Sequence, residues 1–223
     1  VFSLVFALTL LLTIGIRLYL ANRQVRHIAQ HRVAVPPAFA DSIALAAHQK
    51  AADYSISRTR LGMWAVLLDA AVVLGFTLLG GLQVLETALR GQLGGLWGGM
   101  ALSLALVGGV ALISSLIELP LAWYRQFVLE QRFGFNRMSQ SLFWGDWIKG
   151  LLLGSAIGGP LLWVVLRVME SAGPLWWVLA WAIWSAFSLL LMVVYPTFIA
   201  PLFNKFTPLQ AGDMRSRIEN LLQ

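Results

Sequence analysis

The 223 residues are 59% hydrophobic and only 12% charged, with a mean hydropathy of +0.76; that balance excludes an ordinary soluble domain and describes an integral membrane protein. The chain has no cysteine, which excludes disulfides, thiolate metal sites, a cysteine nucleophile and lipidation of the chain itself. Its net charge of +6 gathers beside apolar runs, where Lys and Arg set membrane orientation, so no nucleic-acid partner is expected.

Crossing a bilayer as a helix takes about 20 apolar residues. Runs of that kind fall at 1–20, 61–82, 96–117, 151–168 and 175–198, which predicts an all-helical membrane protein. The first run lacks a basic leader and is followed by Arg23 and Arg26 instead of a small-residue cleavage site, so it reads as a span and not as a signal peptide. Val1 sits inside an apolar run and Leu221–Gln223 ends what reads as an unfinished amphipathic helix; a longer parent protein is expected. Basic residues crowd 17–60, 125–149 and 205–217, whereas the connection after the second run has only Arg90. This alternation predicts an outer or luminal N-terminus and a cytoplasmic C-terminus.

The segment after the first span contains "HIAQH", in which His27 and His31 have the i, i+4 spacing of a helical zinc site. Ile28 stands where the general-base Glu of that motif belongs, and His48 lies beyond Pro36 and Pro37. A solvated basic helix face is expected, with no metal ligand in the chain. Asp69, in "WAVLLDAAVV", falls near the middle of the second span. A carboxylate there faces protein or water, as a chamber-lining or proton-handling group or as a buried hydrogen-bonded one. Glu118 ends the third span just before Pro120.

"GQLGGLWGGM", 91–100, has no Lys-Ser/Thr and no preceding strand. Gly94 with Gly98 and Gly95 with Gly99 have instead the four-residue spacing of close helix packing. Trp177, Trp181 and Trp184 repeat along one face of the fifth span, as packing and interfacial anchors. No internal repeat points to a transporter built from inverted halves.

The two stretches that follow the third and fifth spans carry more information. In 124–150, Gly134 permits a turn, Asn136 reads as a helix cap, and Phe143, Trp144 and Trp147 form an apolar face. That pattern predicts two cytoplasmic helical arms, the second lying in the membrane interface before the fourth span. In "YPTFIAPLFNKFTPLQ", from Tyr195, the prolines at 196, 201 and 208 predict an extended, non-helical exit from the fifth span.

The ordered residues Glu130 to Asn136 (E-x-R-F-G-F-N), Asp146 to Gly150 (D-x-x-K-G) and Tyr195 to Leu209 (Y-P-x-F-I-A-P-L-F-N-K-F-T-P-L) resemble the N-terminal membrane region of type I CAAX prenyl proteases, integral-membrane zinc metalloproteases. The resemblance covers the span layout of the whole chain, and its specific residues concentrate in 124–223. It implies seven spans around a water-filled chamber, with zinc held by an HExxH helix and a distant Glu on a C-terminal domain beyond Gln223. In such an enzyme zinc polarises the scissile carbonyl and acidifies a water whose proton the motif Glu takes.

By implication this chain supplies chamber wall, holds no catalytic residue and is inactive alone. Its partners would be the lipid bilayer, the zinc domain and a peptide or lipidated protein substrate. Asn204, Lys205 and Phe203, next to the zinc domain, and Asp69, at depth, are the substrate-contact candidates; Phe206 would pack or face lipid. A structural hinge without ligand contact is the alternative for the 195–209 stretch. Prenylated proteins and membrane proteins marked for clearance both suit such a chamber, in either the bacterial inner membrane or the endoplasmic reticulum. A non-catalytic scaffold and, more weakly, a transporter remain open alternatives from the residues alone.

Overall fold

A computed structural model of the chain describes residues 1–93 and 98–204, with Gly212 and Asn220. Its α-helices are α1 (Phe2–His31), α2 (Leu45–Thr77), α3 (Gly81–Leu93), α4 (Gly98–Tyr124), α5 (Gln131–Phe133), α6 (Gln140–Ser171), α7 (Trp176–Val194) and α8 (Ala200–Phe203). π-helical turns occupy Arg125–Glu130 and Tyr195–Ile199. Five continuous helical stretches are long and apolar enough to cross a membrane: Phe2–His31, Leu45–Thr77, Gly99–Phe133, Gln140–Ser171 and Gly173–Phe203. They overrun the apolar runs because Ala, Arg and Gln beside them are good helix formers, so α1 continues past Leu20 to His31 and α2 starts at Leu45.

The chain divides inside α6 into two compact units, Val1–Ala156 and Ile157–Gln223. In the first, α1 and α2 form an antiparallel hairpin. Arg32 Nε and Nη2 donate to Asp53 Oδ1 and Oδ2 at 2.7 and 2.8 Å, a fork that clamps the base of the hairpin. Hydrogen bonding to Asp53, then its charge, raises the Arg32 guanidinium above its ordinary value. His48 Nε2 donates to the His31 carbonyl at 2.9 Å and His31 Nδ1 to the His27 carbonyl at 2.8 Å. His27 and His31 share a face as their spacing predicts, with ring centroids 4.2 Å apart. His48 therefore satisfies the His31 carbonyl, one of those at the end of α1 that have no helical partner.

α3 was not anticipated; hydropathy alone carries the second span to Leu82. The helix break comes earlier, at Gly80, whose φ of +80° suits glycine. Gly81 follows, and a Cβ there would lie 2.6 Å from the Gly75 carbonyl oxygen. α3 packs on α4 where Leu85 meets Gly109, whose added Cβ would come within 3.3 Å of Leu85 Cδ2. The Gly94 and Gly95 packing expectation lies outside the described residues, and Gly99 borders open space.

The expected second arm is corrected. α6 runs unbroken from Gln140 through Gly150 to Ser171, because nothing in 140–150 stops a helix once it starts. Its aromatic face packs on α4 and the π-helical turn after it: Phe127 and Phe143 meet edge to face at 5.5 Å, and Trp147 Nε1 donates to Ser115 Oγ at 3.0 Å. The cap is Ser139, whose Oγ accepts from Leu142 N at 3.2 Å, and not Asn136.

In the second unit α7 leaves Trp177, Trp181 and Trp184 exposed on one face, the stripe the sequence predicts. The expectation of a non-helical exit is also corrected in part. Pro196 and Pro201 lie inside the continuous helical stretch that ends at Phe203, Pro196 in its π-helical turn and Pro201 in α8; each removes one backbone donor without ending the helix. The path stays helical to Phe203. It becomes extended only at Asn204 (φ −132°, ψ 138°), whose N–H still reaches the Ala200 carbonyl at 3.0 Å. Lys205, Phe206 and Pro208 lie outside the described residues.

Candidate functional site

α2 and the α4 segment run antiparallel, as their partners show. Tyr54 pairs with Glu130, Leu61 and Leu121 border the same cleft, and Leu68 and Ile117 border another further along. Numbers rise on one helix as they fall on the other. Arg58, Gly62, Ala65 and Asp69 recur every three or four residues and so share one face of α2; Glu118, Ala122 and Arg125 do the same on α4. These faces border a cleft of about 400 Å³. The antiparallel register sets Arg58 level with Arg125 at one end and Glu118 level with Ala65 toward the other, with Asp69 about one helical turn further along.

Sequence reading leaves Asp69 without a partner; the structure puts Glu118 on the same cleft and adds two arginines. The available signal was the stripe of small and charged residues at 58, 62, 65 and 69, hidden by the apolar residues between them. All four charged side chains are exposed. At membrane depth such groups face water or protein, never lipid.

The π-helical turn Arg125–Glu130 shapes this site. In an α-helix, residues five apart point about 140° from each other; a π turn, with its i→i+5 bonds, brings them back to one side. Arg125 can thus line the cleft while Glu130 also reaches α2, accepting a 2.8 Å hydrogen bond from Tyr54 Oη. Tyr54 sits between Phe133 and Phe135, edge to face at centroid distances of 5.3 and 5.0 Å. Gly134, at φ +80°, turns the chain so that Phe135 N and Asn136 N donate to the Glu130 carbonyl at 2.9 and 3.2 Å. Asn136 Oδ1 accepts from Gln126 Nε2 and Met138 N, each at 2.8 Å. The E-x-R-F-G-F-N stretch is therefore a clamp that fixes α4 against α2.

The other candidates lie apart in sequence and unit. Phe203 ends α8, half-buried, and Asn204 follows it exposed; both belong to the second unit. Among the described residues no three His, Cys, Asp or Glu converge. Asp69 and Glu118 fall short of the three protein ligands of a catalytic zinc, and two guanidinium groups border the same cleft. The described residues do not fit a zinc site.

The family model described as the CAAX prenyl protease N-terminal region, five membrane helices, matches residues 24–205. CAAX prenyl protease 1 of Saccharomyces cerevisiae is 40% identical over 124 residues, covering 55% of this chain and 27% of that protein. The Homo sapiens homologue of CAAX prenyl protease 1 is 30% identical over 206 residues, 90% of this chain and 43% of that one. The crystal structure of S. mikatae Ste24p superposes with a TM-score of 0.88 at 29% identity, covering 98% of this chain and 51% of that chain. The chain thus spans less than half the length of these curated relatives.

Proposed function

Because the chain belongs to the CAAX prenyl protease family, as its N-terminal five-helix region, we propose that it forms the membrane wall of a zinc metallopeptidase acting on C-terminal residues of prenylated or other membrane-associated proteins. The observation that supports this reading best is the continuous match over residues 24–205. It includes the clamp at Glu130–Asn136 and the start of the exit at Tyr195. Zinc, which would polarise the scissile carbonyl, belongs in this reading to a C-terminal domain, since no three potential ligands converge among the described residues.

This chain's own contribution is to enclose and to position. Asp69 faces a water-filled chamber together with Glu118, Arg58 and Arg125. Phe203 and Asn204, at the end of the last span, and Lys205, next in the sequence, are the residues this reading assigns to contact with substrate or with the zinc domain. Arg-rich 17–60 and 125–149 lie on the cytoplasmic side, with the N-terminus outside or luminal.

The full-length protein, purified in lipid nanodiscs, tests this. Release of the last three residues from a farnesylated CAAX peptide is expected. Chelation should abolish it and zinc restore it, and an HExxH motif should lie downstream of Gln223. Absence of that motif from the reading frame, or cleavage that survives Glu→Gln in it, overturns the reading.

A further inference from the structure

The cleft between α2 and α4 is charged in two tiers of opposite sign, with Arg58 and Arg125 at one end and Asp69 and Glu118 at the other. The ion pairs formed among the described residues, Arg32–Asp53, Glu86–Arg90, Asp146–Lys149 and Arg167–Glu170, use none of the four. Arg58, which also lies beside Tyr54, and Arg125 make one end of the cleft positive. Glu118, with Asp69 about one turn beyond it, makes the other end negative, which suits a ligand oppositely charged at its two ends.

Resting on the peptidase reading above, we propose that this cleft binds a short peptide with both ends free, its carboxylate on Arg58 and Arg125 and its amino group on Glu118, with Asp69 one turn beyond adding negative charge at that end. Such a zwitterion is the class of product that cleavage near a protein C-terminus releases. Along α4 the tiers are seven residues apart, about 10 Å at 1.5 Å per residue, and along α2 eleven, about 16 Å. An extended tripeptide spans about 10–11 Å. The cleft volume of about 400 Å³ lies in the small-ligand range of about 300–1,000 Å³. Between the tiers Gly62 borders open space, and Ala65 and Ala122 add only methyl groups, leaving room for a peptide backbone. Guanidinium groups take a carboxylate in a two-point fork, which the corresponding amide cannot match.

The test measures binding of free Val-Ile-Met, its C-terminal amide and its N-acetyl form to the full-length protein in nanodiscs. The free tripeptide should bind at least about tenfold more tightly than either blocked form, a difference of about 1.4 kcal/mol. Arg125→Gln should erase discrimination against the amide and keep that against the acetyl form; Glu118→Gln should do the reverse, and Arg125→Lys, which keeps the charge and loses the fork, should retain only part of the discrimination against the amide. Equal binding of the three peptides to the unaltered protein overturns the proposal, and that comparison needs no variant to fold. Cleavage of the farnesylated reporter, followed in the same preparations, separates the two readings. Cleavage without end discrimination overturns the cleft proposal alone, whereas end discrimination without cleavage supports the cleft and overturns the protease reading.

Discussion

Tyr54 donates a 2.8 Å hydrogen bond to Glu130 across 76 residues of sequence, joining the first half of α2 to the π-helical end of the α4 segment. A phenol on a carboxylate is a charge-assisted bond, and Tyr54 also fills the notch between Phe133 and Phe135. Tyr54→Phe keeps the ring and loses the bond, which contributes about 1–2 kcal/mol. Tyr54→Ala loses both. The apparent Tm in detergent should fall by a few degrees for the first and by at least twice that for the second. Equal effects of the two would show that the rings contribute nothing.

Gly134 makes that clamp possible. Its φ of +80° is a left-handed conformation, which carries a penalty of roughly 1–2 kcal/mol for residues with a Cβ. The nearest atom to an added Cβ is Lys50 Nζ at 3.9 Å, ordinary contact distance, so the penalty is conformational and not steric. Gly134→Ala should lower the apparent Tm, Gly134→Asn should lower it less, and Gly134→Val should be worst. A larger loss for Asn than for Ala would contradict this cause.

How far the sequence could be read follows from what each signal measures. The five spans were visible because apolar length alone decides membrane crossing, and the clamp was visible as an ordered motif without its reason. Glu130 and Tyr54 are far apart in sequence, so only the fold reveals their bond. Hydropathy missed α3, since Leu82 and Val84 continue an apolar run beyond the break at Gly80. It also hid Arg58 and Arg125, which look like ordinary span-end charges until α2 and α4 align. Prolines at 196 and 201 do not end the helix because a proline inside a helix removes one hydrogen bond and can be absorbed locally, here beside a π-helical turn.

Two glycines beside α3 should respond differently to the same change. At Gly81 a Cβ would sit 2.6 Å from a backbone oxygen, Gly75 O, which cannot move without unwinding the end of α2. At Gly109 the nearest atom, at 3.3 Å, is the end of the flexible Leu85 side chain. Gly81→Ala should therefore destabilise strongly and Gly109→Ala mildly, as read by thermal unfolding. Leu85→Ala should rescue a Gly109→Val variant while leaving Gly81→Ala uncorrected; rescue of both would point to a general loosening of α3 instead of local contact.

The Arg32–Asp53 fork joins two half-exposed side chains, at 38% and 45% exposure, so it should fix the hairpin's geometry more than its stability. Arg32→Gln and Asp53→Asn should each loosen the α1–α2 connection, seen as faster proteolysis within 33–44, and the double variant should be little worse than either alone. Rising salt should bring the wild type toward the variants. Additive effects that ignore salt would show that the two residues act separately.

Which face of α2 meets water is open to direct chemistry, because the chain has no cysteine of its own. Asp69 borders the cleft, while Leu67, two residues away, points about 160° round the helix from it at nearly the same depth. A thiol reacts as its thiolate, which lipid suppresses and water permits. In native membranes containing the full-length protein, Asp69→Cys and Ala65→Cys should react with a water-soluble maleimide, and Leu67→Cys should not. The unaltered protein provides the blank for cysteines elsewhere. Free tripeptide added beforehand should slow labelling at position 65, inside the cleft, without affecting a cysteine placed at Trp181 in the exposed stripe of α7. Labelling of Leu67→Cys at the rate of Asp69→Cys would mean that the charged stripe does not mark the aqueous face, and the cleft would lose its place in the chamber wall.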